Sequence, residues 1–209
     1  MRLVLASGNP GKLAELQALF APLGIELVAQ GGLGIAEAEE PHPTFIENAL
    51  AKTRHAAAAS RGAAIADDSG LVVDALEGAP GVASAHYAGV DRVAGDREAQ
   101  RRAQDAANNA LLLERMRGAP DRSARFVSTL VAVRHADDPE PLVAVGRWPG
   151  EIALVPRGSG GFGYDSLVHI PALGRTVAEL DAASKNVASH RALAARQMLA
   201  LMREVWRLG

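Results

Sequence analysis

Leu3-Val4-Leu5-Ala6 is a continuous apolar run that stops at Gly8-Asn9-Pro10-Gly11, and beyond it Leu13, Leu16, Leu19 and Phe20 recur at helical spacing. A strand that passes through a tight loop into a helix commits the chain to an α/β arrangement from its first twenty residues. Such a loop aims backbone N–H groups at any anion lying before the helix, and its glycines let that anion come close to the chain. Ser7-Gly8-Asn9-Pro10-Gly11-Lys12 is therefore a candidate anion-binding loop. It is not a Walker A loop, which needs glycine where Ala6 stands and Ser or Thr where Leu13 stands. An ordinary strand-to-helix turn with a solvated lysine reads from the same residues.

Further along, Thr44 with Glu47 forms a capping box for an Ala-rich helix that carries Lys52 and ends at Gly62. Ala63 to Ala66 and Leu71 to Val73 read as strand segments, with Asp67-Asp68-Ser69-Gly70 as turn chemistry between them. A charged, Ala-rich amphipathic helix is expected from Asp96 to Arg117. Phe126 to Arg134 and Leu142 to Trp148 flank Asp137-Asp138-Pro139-Glu140 in the pattern of an antiparallel hairpin. A glycine-rich loop follows from Arg157 to Asp165, then a short strand from Leu167 to Ile170. Ser189 is placed to cap a last helix whose apolar stripe runs Ala194, Met198, Leu201, Val205 and Leu208. With no fixed-period repeat, low-complexity tail or linker, residues 1–209 read as a single domain.

Composition narrows the function. The 209 residues are 48% hydrophobic, enough for a real core. Twenty-two Lys and Arg against 24 Asp and Glu give a net charge of −2, so no global basic field draws the chain to nucleic acid, and an anionic ligand must be held locally. Cysteine is absent, which removes disulfides, thiolate metal sites and cysteine nucleophiles and fits a reducing compartment. The N-terminal apolar run is too short for a signal peptide or a membrane span, so a cytoplasmic location is expected.

Chemistry concentrates in a few places. Asp67 and Asp68, with Glu37, Glu39 and Glu40, offer the hard oxygen ligands that Mg²⁺ takes together with phosphate oxygens, although an acidic loop and a turn would look the same. Phe162 and Tyr164 give the glycine-rich loop π-faces for a base. His190 and Arg191 stand at a helix start, where the dipole repels cations, and so make better sense facing an anion.

Taken in order, the segments resemble the inosine triphosphatase or Ham1-like family of nucleoside-triphosphate pyrophosphatases, in its bacterial dITP/XTP pyrophosphatase branch. The resemblance runs through Ser7-Gly8-Asn9-Pro10-Gly11-Lys12, Phe45-Ile46-Glu47-Asn48-Ala49 with Lys52, Ala66-Asp67-Asp68-Ser69-Gly70-Leu71 and Gly78-Ala79-Pro80-Gly81 leading to Tyr87-Ala88-Gly89. It continues through Gly160-Gly161-Phe162-Gly163-Tyr164-Asp165, Thr176 with Ala178-Glu179-Leu180, and Lys185 followed by Ser189-His190-Arg191. Each piece alone is modest; the ordered set is specific.

The resemblance implies an elongated α/β fold, with a central mixed sheet flanked by helices and two lobes that have the active-site cleft between them. It implies hydrolysis of ITP, dITP and XTP to the monophosphate and pyrophosphate, clearing deaminated purines from the nucleotide pool, with Mg²⁺ as cofactor and a homodimer as the working form. By position, Asp68 matches the general base, Glu40 and Asp68 the metal site, Ser7, Gly8, Asn9, Pro10, Gly11 and Lys12 the triphosphate loop, and Lys52 a phosphate-side lysine. Ser69, Phe162, Gly163, Tyr164, Asp165, Lys185, His190 and Arg191 match substrate and base contacts. The sequence departs from the family pattern at His86, where arginine is usual, at Ser166, where proline is usual, and in a longer stretch from Arg92 to Asn109. A pyrophosphatase for other modified nucleotides and a non-catalytic nucleotide-binding module are the alternative readings.

Overall fold

The computed structural model describes residues 1–21, 24–89 and 97–208. Its strands are β1 (Arg2–Leu5), β2 (Glu26–Ala29), β3 (Ala64–Val73), β4 (Ser123–Val133), β5 (Leu142–Ile152), β6 (Val168–Ile170) and β7 (Arg175–Thr176). Its helices are α1 (Pro10–Phe20), α2 (Phe45–Ser60), α3 (Arg97–Arg115), α4 (Ala182–Ala188) and α5 (His190–Val205). The strands form one seven-stranded sheet in the order β2-β1-β3-β4-β5-β6-β7. Because β1 pairs in parallel with β2 and β3 while β6 pairs antiparallel with β5 and β7, the sheet is mixed. β4 and β5 are neighbours joined by residues 134–141. Those eight residues are too few to return along an 11-residue strand, so the pair is antiparallel.

Two compact units divide the chain: Met1–Ser69, Val127–Arg147 and Asn186–Gly209 make the first, and Gly70–Phe126 with Trp148–Lys185 make the second. In the first unit the strand period of two sorts the core. Leu3, Leu5, Ile65, Leu130 and Ala132 face Leu16 and Phe20 of α1 and Ala194, Ala195, Met198 and Met202 of α5. The alternate residues Val4, Ala6, Ala64, Ala66 and Val133 face Ala56 and Ala57 of α2. In the second unit Leu71, Leu112, Met116 and Leu167 are fully buried.

Local chemistry accounts for most boundaries. Asn9 caps α1, its side chain accepting from the N–H groups of Gly11 and Lys12, with Pro10 in the first turn. Thr44 caps α2 by accepting from the Glu47 N–H, and Ser189 caps α5 by accepting from the Ala192 N–H. The α2 stop differs from expectation. Arg61, at φ 53°, adopts the left-handed conformation and donates its N–H to the Ala57 carbonyl, so the helix ends at Ser60 and the residue before the glycine forms the cap. Asp67-Asp68-Ser69-Gly70 is not a turn either: β3 runs through it without a break. Turn-forming side chains lose to a ladder position when buried partners satisfy their carboxylates, as the next subsection describes. The expected helix from Asp96 to Arg117 is observed as Arg97–Arg115, while residues 92–96 of the longer stretch lie outside the described residues.

Candidate active site

Period-two alternation in β3 assigns the two adjacent aspartates to opposite faces. Asp67 shares parity with Ile65 and so lies on the α1 and α5 side; Asp68 shares parity with Ala66 and lies on the α2 side. Asp67 is 1% exposed and receives the Lys12 ammonium at 3.1 Å, the Arg191 Nε at 3.3 Å, and hydrogen bonds from Ser128 at 2.6 Å and Ser69 at 2.9 Å. Burial opposes its charge, but the Lys12 and Arg191 charges and the Ser128 hydroxyl outweigh burial and hold the carboxyl well below the usual aspartate range. Arg191, 2% exposed, also pairs with Glu15 and donates to Ser69 Oγ at 3.1 Å. The anion that the sequence placed before this helix start thus includes carboxylates of the protein itself.

On the opposite face, Lys52 and Ala56 stand four residues apart on α2, on the side that packs against the sheet. Lys52 Nζ donates to Asp68 Oδ1 at 2.9 Å, to Glu40 Oε2 at 2.7 Å and to the Asp67 carbonyl at 3.2 Å, which uses all three ammonium donors. Asp68 Oδ2 is buried and has no hydrogen-bond partner among the described residues. Burial pushes the Asp68 carboxyl up to about 6, against the pull of Lys52 and Lys12. Glu40 stays below its ordinary value because Lys52 outweighs its partial burial.

Ser7 to Lys12 forms the strand-to-helix loop as expected, with several of its backbone N–H groups already engaged. The Asn9 side chain holds the Gly11 and Lys12 N–H groups at 2.9 and 3.2 Å, and Ser7 Oγ accepts the Asn9 N–H. A Cβ on Gly8 would lie 1.7 Å from Glu37 Oε1, the end of an exposed side chain that would have to swing aside.

The second unit carries a separate cluster. Lys185 pairs with Asp165 Oδ2 at 2.8 Å and places its ammonium 4.8 Å from the centre of the Phe162 ring. Asp165 Oδ2 also accepts the Phe162 N–H at 3.0 Å. The Tyr164 hydroxyl is buried and donates to the Ser84 carbonyl at 2.9 Å. Gly163 has φ 61°, a left-handed conformation that suits glycine. Two side chains that sequence reasoning missed, Asp105 and Asn109, bind the backbone of Gly163. His190 is buried at the start of α5, whereas His86 is exposed and Ser166 half-buried.

A metal at this chain's acidic positions has Glu40 and Asp68 to bind it. Both carboxylates converge on one ammonium, and Asp68 Oδ2 is a buried oxygen without a hydrogen-bond donor among the described residues. Two carboxylates, with substrate phosphates completing the shell, is the usual Mg²⁺ donor set. Around β3, Lys12, Lys52 and Arg191 are matched against Glu15, Glu40, Asp67 and Asp68. With negative charge in excess, an added cation would ease the approach of a polyphosphate to these groups.

The Ham1 family model matches residues 3–201. The chain belongs to the Ham1 family. Among Ham1-related sequences it is 71% identical over 206 residues to the dITP/XTP pyrophosphatase of Methylibium petroleiphilum, covering 99% of both chains. It is 68% identical over 212 residues to the dITP/XTP pyrophosphatase of Leptothrix cholodnii, covering 100% of both. The solved structure of a HAM1 protein from Coxiella burnetii is 42% identical and superimposes with a TM-score of 0.85, covering 98% of this chain and 100% of that one. The Staphylococcus aureus Ham1 protein is 35% identical with a TM-score of 0.82, covering 98% and 99%.

Proposed function

We propose that this Ham1 protein hydrolyses the triphosphates of deaminated purines, ITP, dITP and XTP, to the nucleoside monophosphate and pyrophosphate. The observation that carries the reading is Asp68, a buried carboxyl anchored through one oxygen to Lys52, whose other oxygen has no hydrogen-bond donor among the described residues and whose pKa burial pushes up to about 6. A general base works best when its pKa lies near the operating pH, and Asp68 Oδ2 has the free lone pairs to take a proton from water. Water then bonds to phosphorus, the link between the α- and β-phosphates breaks, and pyrophosphate leaves. The names of the relatives, dITP/XTP pyrophosphatase, support this reaction and substrate class.

Glu40 and Asp68 would hold Mg²⁺, which when bound polarises phosphoryl oxygens and offsets their charge. Lys12, Lys52 and the Ser7 to Gly11 loop handle the triphosphate. Arg191, tied to Asp67 and Ser69, holds the β3 segment that carries Asp68. Phe162 offers a stacking face to the base, while Lys185, Asp165, Gly163 and Tyr164 set its surroundings. A 6-oxo purine presents an acceptor where adenine presents a donor, so the Lys185 ammonium favours the oxo base. A mispaired buried donor costs roughly 1–3 kcal/mol, about tenfold to hundredfold in selectivity.

The same reading includes a homodimer in the cytoplasm. Among the described residues no helix is long and apolar enough to cross a membrane. Asp68→Asn tests the base assignment. The variant is expected to bind ITP while losing about 10²- to 10⁴-fold in turnover, and unchanged turnover would remove Asp68 from that role.

A further inference from the structure

Asp105 and Asn109 stand four residues apart on α3 and therefore project from one helix face. Together they take both backbone polar groups of one residue: the Gly163 N–H donates to Asp105 Oδ2 at 2.9 Å, and Asn109 Nδ2 donates to the Gly163 carbonyl at 3.0 Å. The next residue is tied to the same helix. The Tyr164 hydroxyl donates to the Ser84 carbonyl, which also receives Asn108 Nδ2 at 3.2 Å. Asn108 and Gln104 further engage Ala85 and Ala88, so α3 holds the whole 84–88 segment on which Tyr164 rests.

Two features separate this grip from ordinary packing. Asn109 Oδ1 is buried with no partner among the described residues, so the side chain leaves one acceptor unmet while its amide nitrogen reaches Gly163. Asp105 is half-buried, and burial pushes its carboxyl up despite the Gly163 N–H. Gly163 itself sits in the left-handed region, a conformation that both hydrogen bonds hold in place. It lies between Phe162 and Asp165, the residues whose ring and carboxylate meet Lys185.

We propose that Asp105 and Asn109 are positioning residues, which fix the 162–165 loop in the conformation that presents Phe162 and Lys185 to the purine and thereby set affinity for the base-bearing part of the nucleotide. This rests on the reading that the loop contacts the base. It also gives work to part of the 92–109 stretch that departs from the family pattern.

The test compares titrations of inosine monophosphate, which carries the base, with inorganic tripolyphosphate, which does not. Asp105→Ala and Asn109→Ala should each weaken inosine monophosphate by about tenfold and leave tripolyphosphate unchanged. In turnover, the KM for ITP should rise while kcat stays within about twofold. Asp105→Asn keeps an acceptor for the Gly163 N–H and should bind inosine monophosphate like the unaltered protein. Phe162→Ala is measured alongside. If Phe162→Ala weakens inosine monophosphate and neither α3 variant does, the positioning role is overturned and the loop reading stands. If Phe162→Ala has no effect on it, the loop reading falls and the positioning role with it. Equal weakening of both probes by an α3 variant also overturns the proposal, because the disturbance then reaches beyond the base. Should Asp105→Ala fail to fold, Asn109→Ala and Asp105→Asn carry the same comparison.

Discussion

Replacing Asp68 by Asn should remove a pH-dependent loss of stability while destroying turnover, and the size of the effect follows from the buried carboxyl. Its pKa stands near 6 in the folded chain, against about 3.9 in an unfolded one. The folded state therefore holds this proton more tightly, so the group's contribution is most favourable below about pH 4 and is lost as the pH rises through 6. A difference of about two in pKa corresponds to roughly 3 kcal/mol, and about 2 kcal/mol of that develops between about pH 4 and pH 8. Asparagine has no such titration and keeps an acceptor for Lys52. The stability of Asp68→Asn relative to the unaltered protein should thus improve by about 2 kcal/mol across that range, or about 4–8 °C in Tm for a chain of this size. Thermal unfolding of both proteins in chelator-containing buffer at the two pH values measures this directly. A Tm gap independent of pH, or one that moves in favour of the unaltered protein as pH rises, would refute the argument that ionising the buried Asp68 costs stability.

Other consequences are accessible to simpler assays. A Cβ on Gly146 would lie 1.9 Å from the His190 carbonyl at the start of α5; Gly146→Ala should cost about 1–3 kcal/mol and depress activity by displacing His190 and Arg191, which unfolding and turnover together report. Asn9→Ala removes the acceptor that caps α1 and should cost about 1 kcal/mol, or about 2–4 °C in Tm. Chelation should abolish ITP turnover and added Mg²⁺ should restore it, without a change in secondary structure by circular dichroism.

Periodicity, caps and turn chemistry made the first strand and helix, the Thr44 and Ser189 helix starts and the β4–β5 pair legible. All of these rest on interactions between residues close in sequence. What escaped depends on partners far away. Asp67-Asp68-Ser69-Gly70 has turn composition, yet Lys12, Ser128 and Arg191 satisfy Asp67, and Lys52 satisfies one oxygen of Asp68, so the segment stays in the sheet. The helix stop at Arg61 was hidden because a neighbouring glycine is the commoner occupant of a left-handed position. The candidate cations were identifiable by type and place, but their pairing with Glu15, Glu40, Asp67, Asp68 and Asp165 was not, since ion pairs spanning up to 176 positions leave no local pattern. Asp105 and Asn109 fell within the expected charged, amphipathic helix; an i, i+4 pair of an acceptor and an amide was the available signal.

The central claim is cleavage between the α- and β-phosphates of deaminated purine nucleotides. It is tested most directly by a turnover panel of ITP, dITP, XTP, ATP, GTP and dTTP with Mg²⁺, in which pyrophosphate and orthophosphate are assayed separately. Pyrophosphate released from ITP, dITP and XTP, with about tenfold to hundredfold less from ATP, is the predicted result. Orthophosphate as the primary product, or turnover of ATP equal to that of ITP, would contradict it.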